Sequence, residues 1–232
     1  MKPTFPILAA VAVAAAGGWY AFSGTNAVNS TPINPLVSAA NAQSADTTEA
    51  DAPAATTEIQ DMTLGNPDSA VQIIEYASYT CPHCASFLAY VFKRLTDNSI
   101  ATGKVKFVYR EVYFDKYGLW AAMVARCGGE MRYFGINAML YEQQKEWIAG
   151  GKDAMEIVKN LRTIGKKAGL SDADLDICMN DGATAQAMVA NFEVQMKEYD
   201  VSGTPTLIIN GEKNSNMSYE ALAAKLDAAL AG

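Results

Sequence analysis

Four residues constrain this chain more than any others: Cys81-Pro82-His83-Cys84. They stand between an apolar stretch, Val71 to Tyr76, that reads as a buried strand, and a stretch in which Leu88, Val91, Phe92 and Leu95 recur at helical spacing. A Cys-x-x-Cys where a strand turns into a helix is a redox device for physical reasons. Two intervening residues let a small disulfide ring close. The first cysteine faces the unpaired N–H groups and positive dipole end of the helix, which favour its thiolate. Pro82 suits the first helical turn, where its missing N–H costs nothing. His83, protonated or polarised, favours the Cys81 thiolate further. Cys84, one turn in, is expected to be more buried and to attack only a mixed disulfide.

Other chemistries for these cysteines fail on residue inventory. The chain has four cysteines and one histidine. Cys127 and Cys178 form no second Cys-x-x-Cys, so a four-ligand zinc site is not assembled and no metal is expected. Haem attachment needs histidine directly after the second cysteine, where Ala85 stands. A papain-like pair needs a histidine distant in sequence. A purely structural Cys81–Cys84 bridge closes too small a ring to stabilise much. The 18 basic against 25 acidic residues leave a net charge of −7, a poor basis for contacting nucleic-acid phosphates.

Around the motif the chain reads as an α/β core with a helical insertion. Lys104 to Val112 alternates as a second strand, and Thr206 to Asn210 forms a third, followed by an Asn210-Gly211 hairpin signal. Between them, from 116 to 200, strand signals vanish. Helical blocks appear at 117–127, 130–148, 153–168, 171–179 and 184–199, punctuated by glycines. Ser218 can cap a last helix with Leu222, Leu226 and Leu230 in one stripe. The ten methionines are scattered and read as core filler, and Trp120 and Trp147 as core or junction packing.

The N-terminus differs in kind. An almost unbroken apolar run from Phe5 to Phe22 would make a helix of about 27 Å. It reads either as a signal peptide within 1–23 or as a retained membrane anchor, and both export the rest of the chain. Residues 24–60, rich in Ala, Ser, Thr, Asn, Asp and Pro and without an aromatic, read as a disordered linker.

Glu75-Tyr76-Ala77-Ser78-Tyr79-Thr80-Cys81-Pro82-His83-Cys84, followed far downstream by Val201-Ser202-Gly203-Thr204-Pro205-Thr206, resembles the DsbA family of thioredoxin-fold oxidoreductases. The resemblance covers the chain from about Asp61 to its C-terminus. It implies a thioredoxin-like core from 61–115 and 201–232, interrupted by an all-helical domain over 116–200. It implies a cis bond at Thr204-Pro205 beside the active-site disulfide, with Gly203, Thr204 and Pro205 exposing backbone to an extended substrate. It makes Glu75, an expensive residue in an apolar strand, a buried acid that relays a proton to or from Cys84; the alternative is a glutamate facing solvent at a strand end.

For Cys127 and Cys178, an exported protein favours a structural bridge, which some family members carry; two buried free thiols are the alternative. The resemblance further implies a periplasmic protein that donates its Cys81–Cys84 disulfide to unfolded or reduced exported polypeptides. No cofactor sits in the domain, and a quinone-linked DsbB-like membrane protein re-oxidises it. Thr204 before the proline also occurs in isomerase relatives, so a reductase or isomerase on the same fold stays open. A copper-handling binding protein using Cys81 and Cys84 is the third class.

Overall fold

A computed structural model describes residues 58–150 and 153–232. The apolar run 5–22 and most of the linker lie outside the described residues. No helix among the described residues is long and apolar enough to cross a membrane.

Five strands form one sheet: β1 (Met62–Gly65), β2 (Gln72–Ala77), β3 (Lys106–Glu111), β4 (Thr206–Ile209) and β5 (Glu212–Ser215), in the order β1-β3-β2-β4-β5. β2 and β3 are parallel and the remaining pairs antiparallel. Alternation along the strands sorts side chains to two faces. Ile73, Ala77, Phe107, Tyr109, Leu207 and Ile209 enter the main core. Ile74, Tyr76, Val108 and Ile208 enter a smaller core on the other face.

Helix α1 follows β2. It begins as Pro82–Phe87, passes through a π-helical segment Leu88–Phe92, resumes over Lys93–Leu95 and ends in a second π-helical segment, Thr96–Ile100. Phe87, Val91 and Leu95 of α1 share the main core with Leu222 and Leu226 of the last helix, α8 (Tyr219–Ala231). Between β3 and β4 come α2 (Lys116–Cys127), α3 (Gly129–Glu142), α4 (Gln144–Ile148), α5 (Ala154–Lys167), α6 (Asp172–Met179) and α7 (Gly182–Glu198). Phe192 and Met196 of α7 cover the smaller core, so the sheet has helices on both faces. Trp120 and Trp147 are fully buried, and the Trp147 indole N–H donates to the Leu140 carbonyl at 2.8 Å.

Several expectations need correction. Residues 58–60 belong with the domain, not the linker: Ile59 packs on the core and the Gln60 carbonyl accepts from Arg126 at 3.0 Å. β1 is too short to show a period; its pairing with β3 makes it a strand. The helical block 130–148 breaks at Gln143, whose backbone (φ −101°, ψ 20°) leaves the helix and whose side chain accepts from Lys167 at 2.8 Å. Leu230 stays 42% exposed, because the α8 stripe outruns the core in its last turn. Ser218 does cap α8, accepting from the Ala221 N–H, and Asn210 and Gly211 take the left-handed conformations of a tight hairpin.

Candidate active site

The end of β2 delivers Ser78, Tyr79 and Thr80 into a tight turn, closed by a hydrogen bond from Cys81 N to Ser78 O at 3.0 Å. Cys81 is the N-cap of α1, with extended backbone, and Pro82 opens the helix. Cys81 is partly exposed and Cys84 buried, and both are free thiols. The Thr204–Pro205 peptide bond is cis, and the Thr204 carbonyl lies 3.4 Å from Cys81 Sγ, across 123 residues of sequence. Pro205 is buried; Gly203 and Thr204 are partly exposed.

This setting pulls the Cys81 thiol down to about 5. The hydrogen bond from Cys84 is the largest cause. Burial opposes it, while Thr204 and the backbone N–H groups of Cys84 and His83 add to it. Cys81 is therefore a thiolate at neutral pH. Cys84 is pushed the opposite way, far above the ordinary thiol range, chiefly by its hydrogen bond to Cys81, with burial and the charge of Glu75 adding. His83 reaches Cys81 through its backbone N–H, and its imidazole belongs to an exposed residue.

Glu75 does not face solvent. It is 3% exposed, on the sheet face it shares with Ile73 and Ala77, in register with Tyr109 of β3. Burial raises its carboxyl to about 8, so it holds its proton at neutral pH. The hydroxyl of Tyr109 meets that of Tyr141, from α3, at 2.7 Å.

The helical insertion grips the active-site turn at several points that the sequence did not reveal. Thr80 Oγ1 donates to Asp115 Oδ2 at 2.6 Å, while Asp115 Oδ1 caps α2 by accepting from the N–H groups of Tyr117 and Gly118. Gln144 Nε2 donates to the carbonyls of Tyr79 and Cys81, at 2.8 and 3.0 Å. The Tyr79 hydroxyl donates to Tyr133 at 3.2 Å and accepts from Asn137 at 3.1 Å. Tyr133 in turn donates to Glu111, which Arg126 holds with two bonds of 2.8 and 2.6 Å. Asp115 carried a local signal, as an aspartate preceding a helix. Gln144 carried none, because its partners lie 65 and 63 residues away.

Cys127, the last residue of α2, is bridged to Cys178 in α6 with Cα atoms 5.7 Å apart, so these two are not free thiols. A groove of about 920 Å³ opens beside the motif, between α1 and the α3–α4 region, with Pro82, Leu88, Tyr90, Ala138 and Gln144 among its walls.

A thioredoxin-type sheet, a dithiol at the start of its first long helix and an inserted helical domain define a class: dithiol proteins built like DsbA. A thioredoxin family model matches residues 57–228, and the chain belongs to that family. A Rickettsia bellii protein, provisionally named a protein-disulfide oxidoreductase, is 32% identical over 171 residues, 73% of this chain and 64% of the relative. The match thus spans under two thirds of that relative's length. Among solved structures, alpha-DsbA1 of Wolbachia pipientis superimposes with a TM-score of 0.68 at 23% identity, covering 76% of this chain and 94% of its own. A protein-disulfide isomerase from Novosphingobium aromaticivorans gives 0.67 at 23%, covering 74% and 98%. At that identity these structures establish the fold.

Proposed function

We propose that this protein is a thiol oxidase of the bacterial cell envelope, one that donates its Cys81–Cys84 disulfide to exported polypeptides. The observation that carries this reading is the opposed ionisation of the two sulfurs: Cys81 drawn down to about 5, Cys84 driven up. A substrate thiolate attacks Cys81 Sγ, breaking the Cys81–Cys84 bond and forming a mixed disulfide. The Cys84 sulfur leaves with the bond's electron pair and takes a proton, which Glu75 holds nearby at neutral pH. A second substrate thiolate then attacks the substrate sulfur and expels Cys81 as a stable thiolate. The products are an oxidised substrate and a dithiol enzyme. Stabilising the Cys81 thiolate stabilises the reduced enzyme, which makes the disulfide oxidising.

Gly203, Thr204 and Pro205 supply the backbone edge on which an extended substrate pairs beside Cys81. Re-oxidation falls to a quinone-linked, DsbB-like membrane protein, and residues 5–22 export the domain as a cleaved signal or hold it at the inner membrane. The test is the redox equilibrium of the Cys81–Cys84 pair against glutathione. A potential near about −120 mV, that of a strong oxidant, supports donation; one near about −270 mV makes the protein a reductase.

A further inference from the structure

Gln144 is one of the few buried polar side chains, 6% exposed, and it belongs to the helical insertion and not to the redox core. It is the first residue of α4, immediately after the backbone leaves the helix at Gln143. The break falls within Glu142 to Glu146, five consecutive polar residues. What it accompanies is a pair of hydrogen bonds: Gln144 Nε2 to Tyr79 O at 2.8 Å and to Cys81 O at 3.0 Å. One amide group thereby ties the residue before Thr80 and the cysteine itself to the insertion.

The geometry at Cys81 makes this contact consequential. Its carbonyl also accepts the first hydrogen bond of α1, from Ala85 N at 3.3 Å. The orientation of that carbonyl is coupled, through the Cys81 backbone angles, to the direction of the Cys81 side chain. The sulfur must lie over the N–H groups of His83 and Cys84 to be stabilised by them. Without Gln144 the Cys81 carbonyl keeps only the longer bond from Ala85 N, at 3.3 Å, and its orientation is held by one donor in place of two.

We infer that Gln144 is a positioning residue: through its amide the helical insertion sets the orientation of Cys81. The inference rests on the reading of Cys81 as the reacting sulfur. It assigns the insertion a part in tuning the dithiol, besides whatever surface it offers to substrates.

The test is Gln144→Met, which keeps the side-chain length and removes the donor. The thiolate absorbance of the reduced full-length protein is followed against pH. The Cys81 midpoint should rise by about half a pH unit or more, and the glutathione equilibrium should move about threefold toward the enzyme disulfide. Gln144→Glu, whose ionised carboxylate offers no donor and sets a negative charge beside the two carbonyls, should raise the midpoint at least as far as the Met variant. A folded Met variant with an unchanged midpoint overturns the inference, as does a Glu variant matching wild type at every pH. Should neither variant fold, the wild type still decides. Its Gln144 side-chain amide protons should be protected from exchange and shift when Cys81–Cys84 is reduced, and rapid exchange in both redox forms overturns the assignment. The thiolate midpoint needs no substrate, so it is untouched if the oxidase reading fails.

Discussion

Thr80 Oγ1 donates to Asp115 Oδ2 at 2.6 Å while the other oxygen of the same carboxylate caps α2. One aspartate thus starts the helical insertion and holds the residue that precedes Cys81. Asp115→Ala removes both functions and is expected to cost about 1–2 kcal/mol, from the lost cap alone. Asp115→Asn, which retains a capping oxygen, should cost less. Urea denaturation of the two variants checks this; equal stabilities would separate Asp115 from the capping role.

Glu75 predicts a pH dependence of definite sign. Its folded value of about 8 lies above its ordinary 4.5, so the native state binds this proton more tightly than the unfolded chain. The penalty for burying it is absent below pH 4.5, grows as pH rises, and is complete above about pH 8. Each unit is worth about 1.4 kcal/mol. Glu75→Gln should therefore stabilise the protein more at pH 8 than at pH 5, and flatten its stability profile. Parallel thermal melts at the two pH values give the answer; a variant whose advantage does not grow with pH contradicts the burial argument.

Cys81 predicts the opposite slope, and only in the reduced protein. Its folded value, about 5, lies below the ordinary 9.0, so its ionisation contributes stability that is complete above pH 9 and lost as pH falls through 5. The oxidised protein has no such group. The stability difference between reduced and oxidised forms should shrink steadily from pH 9 to pH 5, with the Cys127–Cys178 bridge intact in both. Chemical denaturation of each form across this range measures it, and a difference that stays flat would mean Cys81 is not held as a thiolate.

The Cys127–Cys178 bridge joins residues 51 apart and lies outside the dithiol. The double variant Cys127→Ser, Cys178→Ser should lose stability, by about 4 kcal/mol in the chain-entropy model and within about 2–5 in practice. It should keep exchange at Cys81–Cys84. A lowered denaturation midpoint with retained peptide oxidation is the expected result, and loss of exchange in a folded variant would give the second pair a part in the chemistry.

Much of this arrangement was legible in the residues because its signals are local. The Cys-Pro-His-Cys motif sits at a strand-to-helix junction whose apolar period changes there. Ser218 and Asn210-Gly211 mark a cap and a hairpin by their own chemistry, and the insertion announces itself by the loss of strand pattern after Val112. Those features depend on neighbours within a few positions, and the chain's order of residues determines them.

What only the tertiary structure decided depends on partners far along the chain. Whether Glu75 meets solvent or core turns on β2 being an inner strand, paired with both β3 and β4, in a sheet whose two faces are both covered by helices. β1 exists because β3 offers it an edge. The helix expected over 130–148 breaks at Gln143, where Gln144 bonds two carbonyls more than sixty residues upstream, a competition that no local period records. Local preference selects the elements; burial and hydrogen-bond satisfaction, which need the assembled core, choose which polar groups end inside it and what they touch.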